Sequence, residues 1–209
     1  MYLPAAFKEE RVDVLHDAIR RIKVGTLVTM GVDGLEASHL PMLIDPEPAP
    51  YGTLVGHLAR ANPQWKRAAP APEALVTFLG PNAYVTPSWY AAKREHGKVV
   101  PTWNYIAVHA YGTPRFIEDR DALLGIVTRL TDAHESGRKA PWAVTDAPAD
   151  YIDGMLKAIV GVALPITRLE GKWKLSQNRS AADRAGVREG YVQEPGENAA
   201  AMAAAMAGI

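Results

Sequence analysis

Two stretches of this chain space their side chains as a ligand site would. The first is GHLARANPQWKR, residues 56–67, where a strand-like run ends in His57, and Arg60 and Asn62 follow at the entry to a predicted helix. Arginine grips phosphate with two parallel donors, and free amides at a helix start add donors and a favourable dipole. On the local pattern alone, Arg60 and Asn62 serve equally well to cap and solvate a loop. The second stretch is GKWKLSQNR, residues 171–179. Strand alternation there sets Lys172 and Lys174 on one face with Trp173 between them, and Gln177, Asn178 and Arg179 follow. That density of donors resembles a ligand rim. A third stretch, HGKVVPTWNYIAVHAYG, residues 96–112, puts Asn104, Ile106, Val108 and Ala110 on one strand face and Tyr105, Ala107, His109 and Tyr111 on the other. Trp89, Tyr90, Trp103, Tyr105 and Trp173 suit the walls around a flat ring, although by pattern alone such residues more often pack a core or an interface.

Other chemistries lack their signatures. Neither G-x-G-x-x-G nor G-x-x-x-x-G-K-[ST] occurs, so a bound phosphate must be held by side chains. No G-x-S-x-G elbow appears, Ser38 beside His39 is too common a pairing to suggest a triad, and no catalytic residue is identified. The six histidines, at 16, 39, 57, 96, 109 and 134, follow no metal-ligand spacing, and no metal is expected. There are no cysteines, which removes disulfides and thiolate chemistry.

The elements that must position these residues are mostly strands. Apolar residues at 12, 15, 19 and 22 predict an amphipathic helix over 9–23, ended by Gly25. Asp33-Gly34 marks a hairpin, and Pro41 in its second arm belongs at an edge or bulge. TLVGHL is a third strand, and a short helix opens at Asn62-Pro63 within 59–70. Two more strands flank a turn at 80–82, and the stretch 96–112 supplies a long strand that continues through 113–119. Helices are expected over 119–136 and 148–160, then strand over 163–178 with a turn at Glu170-Gly171, and a helix capped by Ser180.

Closely spaced antiparallel strands without strand-helix alternation predict a mainly β protein, a barrel with appended helices. At 209 residues one domain is expected over 1–194, with an alanine-rich tail over 195–209 that frays or is disordered. Lys plus Arg equals Asp plus Glu at 23 each, which argues against nucleic acid as the main partner. No apolar run reaches membrane-spanning length and no leader is evident, so a cytoplasmic location is expected, with no membrane partner.

Six blocks in order, among them GTLVTMGVDGLEASHLPMLID, GTLVGHLARANPQW, PNAYVTPSWY and ITRLEGKWKLSQNRSAADRAGV, resemble the PaiB-type family of FMN-binding negative transcriptional regulators over roughly residues 1–190. The family is similar in fold to pyridoxamine-phosphate oxidases and flavin reductases. The resemblance implies a split β-barrel of FMN-binding type, paired as a homodimer, with FMN as cofactor. It implies that His39, Arg60 and Asn62 lie toward the ribityl phosphate, and that Trp103, Asn104, Lys174 and Gln177 flank the ring. The regulator label implies control of transcription, through DNA or a DNA-bound partner, with Lys66, Arg67, Arg184 and Arg188 as candidate basic contacts. No helix-turn-helix is legible, since the predicted helices at 119–136 and 148–160 are joined by far more than a short turn. The competing function is an FMN-dependent oxidoreductase acting on a small molecule.

Overall fold

The computed structural model describes residues 1–68 and 73–208. A short β1 (Lys8–Glu9) leads into helix α1 (Val12–Ile22), then strands β2 (Val24–Gly31), β3 (Gly34–Asp45) and β4 (Thr53–Ala59). A one-turn helix α2 (Gln64–Arg67), strand β5 (Ala74–Val85), a second one-turn helix α3 (Ala92–Glu95), and strands β6 (Thr102–Gly112) and β7 (Arg115–Ile117) follow. Helices α4 (Arg120–Glu135) and α5 (Ala149–Leu156), the long strand β8 (Ile159–Lys174), and helices α6 (Ala181–Gln193) and α7 (Glu197–Met206) complete the order. The strands lie in the order β1-β8-β4-β3-β2-β5-β6, with β7 and β6 also pairing with β8. The class is mainly antiparallel β with appended helices, as the patterning predicts.

The departures from expectation have local causes. Helix α1 ends at Lys23, which takes a left-handed φ of 68°, and not at Gly25. Gly25 lies inside β2, where a Cβ would stand 2.9 Å from the Phe78 ring. The turns expected at 80–82 and 170–171 are absent, because β5 and β8 run through them unbroken. Gly171 instead pairs with Glu9 and leaves room for Leu15. The second expected helix stops at Leu156, where the β-branched run from Ile159 turns to strand. Part of the short helix expected within 59–70 lies outside the described residues.

The chain forms two compact units, Met1–Leu15 with Leu79–Val108 and Glu170–Ile209, and His16–Phe78 with His109–Leu169. In the second, Pro41 takes the last place in the β2–β3 ladder, opposite Val24, and Met42 opens the β3–β4 ladder opposite Gly56. A residue with no amide donor thus sits where the strand changes partners. Asp119 caps α4 by accepting the Ala122 amide at 2.9 Å, and Ile126 and Leu130 pack that helix on Val55 of β4. In the first unit, Ser180 caps α6 through the Asp183 amide at 3.1 Å, as the sequence predicts. Gly186 and Gly190 present a bare strip of α6 on which Trp89 lies; a Cβ at either position would collide with it. The 195–209 tail, expected to fray, is helical from Glu197 to Met206, with Ala199, Met202, Ala203 and Met206 buried along one stripe.

Candidate functional site

The seven residues singled out from the sequence divide between the units. His39, Arg60 and Asn62 fall in the second, and Trp103, Asn104, Lys174 and Gln177 in the first.

In the second unit, strand β4 delivers Arg60 to the mouth of a cavity of about 230 Å³ whose lining includes Glu118, Arg120, Asp153 and Lys157. The guanidinium is already engaged. Its Nε donates to Lys157 O at 2.9 Å, Nη2 to Ile159 O at 3.0 Å, and Nη1 to the Glu118 carboxylate at 2.6 Å. Asn62 braces the turn into α2, accepting the Gln64 amide through Oδ1 at 3.0 Å and donating from Nδ2 to Ser38 Oγ at 2.8 Å. That last bond brings the Ser38-His39 pair to the Arg60–Asn62 loop. His39 is exposed, and its Nδ1 lies 2.8 Å from Thr26 Oγ1 across the hairpin. His57 in β4, three residues before Arg60, has a buried Nδ1 with no hydrogen-bond partner, and burial holds its pKa below the ordinary imidazole value.

In the first unit, the start of β6 meets the end of β8. The Lys174 ammonium donates to Thr102 Oγ1 and Trp103 O, both at 2.7 Å. Asn104, fully buried, donates from Nδ2 to Ser176 Oγ at 3.0 Å and accepts from the same hydroxyl at 3.3 Å. This clasp fixes Ser176 in a left-handed conformation, φ 66°. Gln177 closes the bend behind it, accepting the Leu175 amide at 2.8 Å and donating to Trp173 O at 2.6 Å. Trp103, about half exposed, donates its indole N–H to Asn82 Oδ1 at 3.1 Å and packs near Tyr84. Lys174 and Trp103 are therefore adjacent, whereas Asn104 and Gln177 hold the backbone that presents them.

Other residues emerge only in three dimensions. Lys172 and Lys174 point their ammonium groups at one ring, that of Tyr105, at 5.2 and 5.9 Å. Arg179 lies 4.7 Å from the Tyr90 ring, and its charge acts on the buried Tyr90 hydroxyl, whose pKa is raised chiefly by burial. Burial first, and then the positive charges of Lys172 and Arg179, hold the Lys174 pKa below the usual lysine value. The alternation in GKWK announces the shared face of the two lysines, but nothing local announces Tyr105 as the ring they face. The four candidate basic contacts are dispersed in use: Arg67 pairs with Glu36 at 3.1 Å, Lys66 lies against Trp65, Arg184 donates to Arg179 O, and Arg188 is exposed. Among the described residues no group of three or more acidic or histidine side chains could hold a metal, and no helix is long and apolar enough to cross a membrane.

Residues 1–168 match the family model described as "Putative FMN-binding domain". The protein of Bacillus subtilis named protease synthase and sporulation protein PAI 2 is 34% identical over 99% of this chain and 96% of its own length. An uncharacterized protein of Aspergillus fumigatus is 37% identical over 91% of this chain and 90% of its own. Among solved structures, the FAD and heme binding protein of Mycobacterium smegmatis superposes with a TM-score of 0.61 at 19% identity, over 85% of this chain and 78% of that one, a likeness of fold.

Proposed function

Since this chain belongs to the FMN-binding, PaiB-type family, with FMN as its cofactor, we propose that it works as a homodimeric negative regulator of transcription. The observation that carries this reading is the full-length similarity to the Bacillus protein, whose name ties it to protease synthesis and sporulation. The side chains present suit a flavin phosphate and ring. In this reading Trp103 and Lys174 flank the ring on a backbone held by Asn104 and Gln177, and His39 and Asn62 face the ribityl phosphate. Arg60 then acts by positioning, because its donors are engaged with Lys157, Ile159 and Glu118. An apolar surface on the β2–β3 hairpin, exposing Val24, Met30, Val32 and Leu35, supports pairing with a second copy. Deleting the gene should raise a defined set of transcripts, and supplying the chain again should lower them. Unchanged transcripts would remove the regulatory reading.

One observation favours a second reading, an FMN-dependent oxidoreductase: among the described residues the two ammonium groups facing the Tyr105 ring, those of Lys172 and Lys174, have no carboxylate within ion-pair distance. Bound FMN supplies reversible redox chemistry, and this chain's part is to place and exclude. Reduction of the bound flavin by NADH, NADPH or a substrate, followed by reoxidation in air, would select it. Failure of both nicotinamides would count against it.

A further inference from the structure

Among the described residues eight of the fourteen arginines have a carboxylate within ion-pair distance, among them Arg11 with Glu9, Arg20 with Asp17, Arg120 with Asp153, and Arg138 with Glu135. Lys172, Lys174 and Arg179 stand out because they lie close enough for the charges of the other two to act on Lys174. Among the described residues none of the three has a carboxylate within ion-pair distance. Lys172 is only 7% exposed and makes one hydrogen bond, to Tyr2 O at 3.0 Å, a neutral acceptor. Asp183, the buried acid of α6, accepts the Ala92 amide and so caps α3. A cation removed from water without an anion is costly, and three in one neighbourhood repel one another. The mutual effect is visible at Lys174, whose ammonium is weakened by burial and then by the other two charges.

Resting on the FMN reading above, we propose that Lys172, Lys174 and Arg179 seat the carboxylate or phosphate of a small organic anion other than the flavin, with the Tyr105 ring as a wall for its flat part. The anion supplies the counter-charge that the fold omits. Arg179 offers a two-pronged contact and the lysines two point charges. The ligand is then the substrate or effector of the flavin site, and an aromatic or conjugated acid suits the ring better than a sugar phosphate.

The test titrates benzoate, and separately inorganic phosphate, into FMN-loaded protein while following tryptophan fluorescence and flavin absorbance, with FMN content measured on the same samples. Saturable binding is expected, weakened roughly tenfold or more in Lys172→Met and in Arg179→Met, with FMN content unchanged in both. Lys172→Gln replaces Lys172→Met if circular dichroism shows the latter unfolded. The proposal is overturned if neither anion binds. It is also overturned if FMN displaces the anion, or if the variants lose FMN, because the cations then serve the flavin's own phosphate. A protein that takes up no FMN defeats the flavin reading separately, and the same titration on flavin-free protein then decides the anion seat by itself.

Discussion

Arg60 and Lys174 are both partly buried cations near the end of a strand, and the structure treats them differently. Arg60 ties two main-chain carbonyls and a carboxylate together, so its charge is matched and its geometry is architectural. Lys174 has a hydroxyl and a carbonyl as partners, two other cations nearby, and no acid. A matched charge builds the protein, while an unmatched one leaves binding energy available for a ligand. Substitutions on the two sides should therefore separate stability from ligand affinity.

The largest effect is expected where the two roles meet. Asn104→Ala removes the partner of the buried Ser176 hydroxyl and the clasp on a left-handed residue. We expect a loss of about 2–3 kcal/mol on chemical denaturation, together with loss of ligand binding, since the Lys174 segment is no longer held. Stability near wild type would show that the clasp is dispensable. Arg60→Met should cost about 1–2 kcal/mol while FMN content per chain is retained. Loss of FMN at unchanged stability would instead make Arg60 a direct phosphate ligand. Lys172→Met should act in the opposite direction, raising the melting temperature by a few degrees because an unmatched buried charge is replaced by a methylene chain of similar length. A clear fall would mean that the ammonium is architectural after all.

The smallest effect is a matter of pH. His57 has a folded pKa depressed by burial, so between that value and the unfolded 6.5 the unfolded chain holds more protons. Stability should decline as pH falls from about 6.5 through the folded pKa, and His57→Gln should flatten that decline. An identical pH dependence in the variant would show that the imidazole is solvated. Lys174 follows the same sign at the alkaline end: its folded pKa is lowered, so stability should rise as pH increases toward the unfolded 10.5.

Much of this was legible in the sequence where the cause is local. The hairpin at Asp33-Gly34, the cap at Ser180, and the alternation of β6 follow from turn chemistry and periodicity, and all appear, while Asn62 takes the Gln64 amide from one place before the cap position, which Pro63 holds. Glycine misled where its purpose is space and not a turn: Gly25 and Gly171 sit within strands because a ring or an aliphatic chain occupies the place of a Cβ. The tail was misjudged because alanine repeats hid a stripe, although Met202 and Met206, four apart, were the clue to its buried face. For the site, the candidate polar residues could be listed, but their roles depended on partners far along the chain. Asn104 waits for Ser176, and Arg60 for Lys157 and Ile159. No pattern of neighbours reveals that Lys172 lacks an acid; that absence exists only once the chain is folded.

The most direct measurement is the visible spectrum of the protein purified without added cofactor and again after loading with FMN and exhaustive dialysis, with the released ligand identified by mass. The account predicts two flavin bands, an FMN mass and retention of about one flavin per chain. A protein that stays colourless after loading would contradict it.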